Sequence, residues 1–384
     1  MKTSNEATPK RISVKLLQSP WLELIVLCTS VLLSYIALLM ISKGAEVPPG
    51  GMALSNITWI LIGFFVLSFA IAIVAVLAGI GGGVIYTPIM LAFTPVNSLI
   101  VRATGLVVAM FSGIVSSGPF MKTGIANLKL SIFSVLGYGL GGFIGAQGAI
   151  YIAKNMGASG EGIIRMILAI IVLLLGLYFL FGGKKSEWPV IKKVDRFSQW
   201  LGLRQPYFEQ SLNTIVDYQV TRAGWGLVCL FCIGLVSGFF GMGAGWAIVP
   251  GLNFVLGVPL KVAAATSGVI IGMGDCITIW PYVLVGAIIP LFAAPWLIGQ
   301  VLGGIVGAHV LIKAKSKAIR YILIGIMFFT SFGLVANALT KLGMISEVSG
   351  IVYVIVLSIV LALTILAIID KLPKFGNGGK NLGK

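Results

Sequence analysis

The sequence predicts an all-α polytopic membrane protein built from two inverted repeats, each with a glycine-broken helix, plus peripheral N- and C-terminal helices. Three observations carry this expectation. Of 384 residues, 58% are apolar and only 10% charged, against about 25% charged in a soluble domain. Long apolar stretches recur along the chain, most of them near the roughly 20 residues that cross a bilayer. Two glycine-rich breaks interrupt these runs at matching places in the two halves, and paired interruptions of that kind mark binding sites in membrane transporters.

The elements follow in order. Residues 1–56 hold a basic stretch with Lys2, Lys10, Arg11 and Lys15, then an apolar segment at 21–41. No small-x-small cleavage site follows, so a retained peripheral helix with a cytoplasmic N-terminus is expected rather than a signal peptide. The first transport repeat, 57–181, holds apolar segments at 57–79, 84–96, 99–121, 130–152 and 163–181. A polar, basic loop occupies 182–222. The second repeat, 223–340, holds segments at 223–240, 246–257, 262–285, 288–312 and 319–340. Residues 341–384 add a peripheral helix at 351–370 and a basic tail. Segments 84–96 and 246–257 are too short to cross as straight helices, and each follows a glycine break.

The duplication shows as a constant offset of 162. Gly79, Gly81 and Gly83 map to Gly241, Gly243 and Gly245, Pro88 to Pro250, and Ala103-Thr104 to Ala265-Thr266. Pro119 maps to Pro281, Gly124 to Gly286, and Gly141, Gly142 and Gly145 to Gly303, Gly304 and Gly307. A register that aligns prolines and an Ala-Thr pair without a gap is more than glycine abundance produces.

Loop charge sets orientation. The formal net charge of +16 is concentrated in loops: the 182–222 segment, the turn at Lys313–Arg320, Lys122 and Lys129, and the tail after Asp370. Basic loops stay cytoplasmic. These assignments agree when each half-segment reverses the chain direction. Each repeat then has five elements, an odd number, and the two repeats are inverted. Half-segments that re-entered would put the 182–222 loop outside, against its charge. The expected location is therefore the cell membrane, multi-pass, with both termini cytoplasmic.

Several function classes are excluded. The basic charge lacks the interleaved stacking aromatics of a nucleic-acid groove. Cys229 and Cys232 form a C-x-x-C inside an apolar run, where they read as small hydrophobes rather than a redox or metal pair. There is no nucleotide-binding loop, metal cluster or nucleophile–base pair, so no cofactor and no enzymatic activity are expected. The partners are a small anionic substrate and membrane lipid; homo-oligomer formation is left open.

The candidate site follows from the breaks. Helix N-termini carry unpaired N–H groups and a positive dipole end, which suit an anion. Gly79, Gly81, Gly82 and Gly83, with Gly241, Gly243 and Gly245, open the two half-helices. The competing role for glycine is close helix packing, which is assigned to Gly137, Gly141, Gly145, Gly299, Gly303 and Gly307. Thr104, Thr266 and Ser267 can donate hydroxyls to ligand or cap the helices they begin. Asn253 is a polar residue amid apolar neighbours. Arg102 is either a fixed charge beside the anion or a residue paired at a helix start. Asp275, the one acid well inside an apolar segment, and His309, the one histidine, are the candidate proton carriers; the alternatives are an Arg102 pair or a buried neutral hydrogen-bonded acid for Asp275 and a satisfied structural group for His309.

Gly79–Pro88 with Ala103-Thr104-Gly105, echoed by Gly241–Pro250 with Ala265-Thr266-Ser267, resembles the sulfite exporter TauE/SafE family over about residues 57–340. The resemblance implies a multi-pass permease for sulfur-containing anions such as sulfite, sulfonates or sulfoacetate. By position it implies that the glycine breaks, Thr104 and Thr266 line the anion pathway. The chain departs from the family pattern at Ala244, at Gly105 where serine is usual, in its long loop, and in its extra terminal helices. The expected activity is secondary transport, with proton coupling as an option; the alternative on the same scaffold is a passive anion channel.

Overall fold

A computed structural model describes residues 54–78, 82–94, 96–122, 124–181, 194–209, 214–313 and 316–370, with single positions 29, 36 and 40. The helix expected at 21–41, the glycines Gly79 and Gly81, and the tail after Asp370 lie outside the described residues. The chain forms two compact units, Met1–Gly63 and Phe64–Lys384. The continuous described part of the first is the helical stretch 54–63; the remaining account concerns the second.

The described elements are almost all helical. They are α1 (Leu54–Ala78), α2 (Gly83–Phe93), α3 (Ser98–Lys122), α4 (Leu128–Phe181) and α5 (Arg196–Leu201), then strands β1 (Tyr207–Glu209) and β2 (Thr214–Val216). There follow α6 (Ala223–Phe240), α7 (Gly245–Pro250) running into a π-turn at Gly251–Val255, α8 (Leu260–Thr278), α9 (Trp280–Leu284), α10 (Pro290–Lys313), α11 (Ser316–Lys341) and α12 (Gly350–Asp370). Six described helices are long and apolar enough to cross a membrane. Among them α4 turns Leu136, Leu140 and Ile144 outward, and the shorter apolar α12 turns out Val354, Leu361 and Leu363, all more than half exposed. In water such faces would be costly; against lipid they are the expected covering.

Helix α4 is one element in name only. Its 54 residues would run about 80 Å at 1.5 Å per residue, far beyond a hydrocarbon core of about 30 Å. Gly157 breaks it, at φ 52° and ψ −132°. A Cβ at Gly160 would lie 2.9 Å from the Ile152 side chain, whereas eight residues along a straight helix separate by about 12 Å. The chain folds back there, giving the two arms expected at 130–152 and 163–181. The segment expected as one run at 262–285 divides into α8 and α9, between Thr278 and Trp280.

Element starts repeat at the 162 offset: α2 with α7, α3 with α8, and α4 with α10. The turns after α3 and α9 match atom for atom. Gly124 and Gly286 take φ of 70° and 69°. Gly124 N donates to Met121 O and Gly286 N to Val283 O, while Ile125 N donates to Phe120 O and Ala287 N to Tyr282 O. Helix contacts recur in the same register. A Cβ at Gly137 would sit 2.7 Å from Leu227 O, and at Gly299 2.6 Å from Phe65 O; Gly141 meets Phe231 O and Gly303 meets Phe69 O. The first arm of α4 thus packs on α6 as α10 packs on α1, each through small residues that let backbones approach.

Helices α3 and α8 cross antiparallel. Met110 meets Cys276, and Ile114 meets Gly272. The start of α3 (Ala103) clusters with Tyr282 and Ala287, while Ala265 at the start of α8 clusters with Ala126 beyond the end of α3. The second arm of α4 runs antiparallel to α11 in the same way, with Gly162 against Ala338 and Leu342 and Gly176 against Met327. Helix α12 leans on α11 through Tyr353, edge-on to Phe332.

The described part of the linker, from Val194, is folded. Asp195 caps α5, accepting from Ser198 N at 3.1 Å and Ser198 Oγ at 2.6 Å, and it also accepts from Arg222 N. Strands β1 and β2 pair antiparallel, Phe208 opposite Ile215. Asn127, in the α3–α4 turn, donates to Leu203 O and to the Tyr218 hydroxyl, which ties the linker to the helical body.

Candidate functional site

The second glycine break is built by backbone sign. Helix α6 ends at Ser237–Phe240, and Gly241 N donates to Ser237 O at 2.7 Å with Gly241 in the left-handed region at φ 66°. Gly243 is left-handed again, at φ 67°. Two such residues within three positions redirect the chain before α7 begins, and side-chain-bearing residues resist both. A Cβ at Gly241 would also strike the Arg102 backbone.

The first half-helix lies directly against this break. Thr87 Oγ1 donates to Gly241 O at 2.6 Å. A Cβ at Gly83 would lie 2.8 Å from Met242 O and 2.9 Å from Gly105 O. Gly105, the departure from the serine usual in the motif, has a physical reason here. The space its Cβ would take holds Gly241 O and Thr87 Oγ1. Gly83, Gly105, Thr87, Gly241 and Met242 therefore form one close junction between the halves, in which these glycines leave no room for a methyl group. Gly79 and Gly81 belong to the undescribed residues.

Asp275 approaches the junction from α8. It is fully buried, and its Oδ1 accepts from the Tyr138 hydroxyl at 2.6 Å. Tyr138 Oη lies 2.9 Å from Ser237 Oγ; with its proton on Asp275, it accepts there. Asp275 Oδ2 has no hydrogen-bond partner among the described residues and lies 3.9 Å from where a Gly243 Cβ would be. A carboxylate oxygen without a partner therefore faces the second break. Tyr138 was not singled out from the sequence, and neither was its counterpart at the 162 offset, Gln300, whose amide fills the space beside Gly82. Both are polar residues in apolar runs at repeat-related positions, and that was the available signal.

The other candidates divide. Thr104 is fully buried beside the Tyr86 hydroxyl, and among the described residues neither oxygen makes a well-directed hydrogen bond. Thr266 Oγ1 accepts from Asn127 N at 3.1 Å, so it holds the α3–α4 turn. Ser267 donates back to Ala264 O. Asn253 sits in the π-turn and donates to Val258 O at 2.8 Å, a closing bond for that turn. Gly245 begins α7 and is buried. His309 lies in α10, and its side chain is outside the described residues. Cys229 and Cys232 are free thiols, the second exposed on the outer face of α6.

Arg102 is fully buried, and Glu161 comes to it from the second arm of α4, Nη2 to Oε1 at 3.7 Å. Glu161 also accepts from Arg165 Nη1 at 2.7 Å and from Ser98 Oγ. Arg165 Nε donates to Leu91 O at the end of α2. The sequence showed Arg102 alone. Glu161 and Arg165 were unreadable as its neighbours, because the fold-back at Gly157 is what delivers them.

The sequence matches the family described as sulfite exporter TauE/SafE over residues 64–334. It is 26% identical over 269 residues to the probable membrane transporter protein YunE of Bacillus subtilis (strain 168), covering 67% of this chain and 91% of that one. It is also 26% identical over 262 residues to the probable membrane transporter protein YfcA of Escherichia coli (strain K12), covering 65% and 83%. No solved structure matches.

Proposed function

The chain belongs to the sulfite exporter TauE/SafE family, a family of membrane transporters and not of enzymes, and from that premise we propose that it is a secondary transporter for a small sulfur-containing anion of the sulfite, sulfonate or sulfoacetate type. One observation carries the reading: Gly83, at the described end of the first glycine break, packs on Met242 O of the second, and Thr87 of the half-helix it opens donates to Gly241 O. Backbone N–H groups at the start of α2, with the Thr87 and Thr104 hydroxyls, are the donors offered to the anion once the junction parts.

In this reading the halves are inverted repeats. The antiparallel crossing of the repeat-equivalent helices α3 and α8, and of the second α4 arm and α11, supports it. So does the exchange of contacts between the first α4 arm with α6 and α10 with α1. Alternating access then amounts to one half rocking on the other about the junction. The described arrangement, too tight for a methyl group, corresponds to the closed state. Asp275 is the coupling group of this proposal: its partnerless Oδ2 can accept a proton while Tyr138 keeps the carboxyl in place.

Proteoliposome uptake of sulfite and sulfoacetate, with and without a pH gradient, tests the proposal. Saturable uptake with counter-flow is expected. Flux that follows the gradient without saturation would make the protein a channel, and no anion flux at all would reject the reading.

A further inference from the structure

At the end of the bundle where α3 begins, a cavity of about 690 Å³ opens between the α2–α3 turn, the fold-back of α4 and the end of α11. Asn97, Ser98, Lys154, Glu161, Arg165 and Lys341 line it. Glu161 stands at its inner wall, between Arg165 and the fully buried Arg102 behind it. The charges do not balance. Three cations (Lys154, Arg165 and Lys341) line the cavity with two carboxylates, Glu161 and Glu347, and a fourth cation, Arg102, lies buried behind Glu161. Arg102 and Arg165 both bear on the one Glu161 carboxylate, at 3.7 Å and 2.7 Å. No nitrogen of the Arg102 guanidinium makes a directed hydrogen bond among the described residues. The adjacent Tyr282 hydroxyl donates to Gly238 O at 2.9 Å and keeps a lone pair that can accept from Arg102. A guanidinium does not lose its proton, and a buried charge without hydrogen bonds is costly.

The geometry points to a recognition site for a small soluble anion bearing a sulfonate or carboxylate group, in which Glu161 is the resident competitor that the incoming anion displaces from Arg102 and Arg165. A carboxylate held 3.7 Å from one guanidinium and 2.7 Å from another is chemically a bound oxyanion supplied by the chain itself. A sulfonate guest, with three oxygens and no tether, can offer each guanidinium an oxygen at hydrogen-bonding distance, whereas the tethered carboxylate stays 3.7 Å from Arg102. Arg102 also joins this site to the junction, because Gly241 packs on its backbone. Exchange at the cavity and movement at the break are thus mechanically adjacent. The inference deepens the transporter reading and rests on it for the identity of the guest.

The test is isothermal titration of the purified full-length protein with sulfoacetate. Glu161→Gln keeps the shape and removes the competing charge. It should tighten binding about tenfold, the scale of one charge-assisted hydrogen bond. Ser98→Ala removes one of the tethers on Glu161 without changing any charge, should tighten binding by a smaller factor, and decides the matter if the first variant does not fold. Adding Arg102→Gln to Glu161→Gln should abolish the gain. A purely structural triad would instead show lower thermal stability in Glu161→Gln with affinity unchanged or weaker, and that result overturns the inference. A gain that survives Arg102→Gln overturns it as well. Phospholipid headgroups offer the same chemistry, so the titration is repeated in nanodiscs of zwitterionic lipid with and without phosphatidylglycerol. Tightening by the lipid alone, with none by sulfoacetate, would also overturn it. Uptake in liposomes separates the two readings. Sulfite uptake unaltered in both Glu161→Gln and Ser98→Ala would sink this site and leave transport standing. Tight binding by Glu161→Gln with no uptake by the wild type would do the reverse.

Discussion

Gly243 and Asp275 make opposite demands on a substitution. Gly243 is left-handed and faces Ala109, whose Cβ would lie 2.6 Å from a new one. Gly243→Ala should cost about 1–2 kcal/mol for the backbone alone, with further loss from the contact, and it should lower both the melting temperature and uptake. Asp275→Asn keeps an oxygen for the Tyr138 hydroxyl and removes the ionisable group. Protein yield and melting should be near wild type, while stimulation of uptake by a pH gradient disappears. A gradient response that persists in Asp275→Asn would remove this residue from the coupling scheme. The sequence exposed both positions, one through the repeated glycines and the other as a lone intramembrane acid. It did not show Tyr138 or Glu161. Their partners come from other helices, and spacing along one chain segment carries no record of that.

Among elements, the crossing of the first α4 arm with α6 is the clearest case of glycine used for approach. Gly238 sits on the Gly142 carbonyl, while Gly148 has only the Phe239 ring at 3.6 Å. Gly238→Ala should destabilise detergent-solubilised protein by about 1–3 kcal/mol, the range for overpacking, whereas Gly148→Ala should be neutral in the same thermal assay. The linker responds to a different variable. Hydrogen bonds from Ser198 and from the Arg222 backbone hold the Asp195 carboxyl below the usual carboxylate range. Its contribution to docking is therefore complete above the ordinary aspartate value of about 4 and is lost as pH falls through the lowered one. Pepsin cleavage within 194–222 should rise in that acid range, and Asp195→Ala should already be cut readily at milder pH. The short half-helices were legible from length and glycine content. The order inside 194–221 was not, since its two strands have three residues each and depend on anchors such as Asn127, far away in sequence.

For the whole molecule, orientation is the open prediction. Loop charge puts the 194–222 linker in the cytoplasm and the Glu161 cavity on the opposite side. A cysteine placed at exposed Trp200 should react with an impermeant maleimide only in broken cells, and one at Glu347 should react in intact cells. The reverse pattern would invert the topology. The 162 offset was readable because it stays constant across prolines and glycines that constrain backbone. The joining of the halves was not, because an offset says that two pieces are alike without saying which face of one meets the other. The recurrence of contacts, Gly137 with Leu227 and Gly299 with Phe65, has a practical corollary. A lesion at Gly137 or Gly141 has a counterpart at Gly299 or Gly303, so each of the two crossings serves as a reference against which damage at the other can be calibrated.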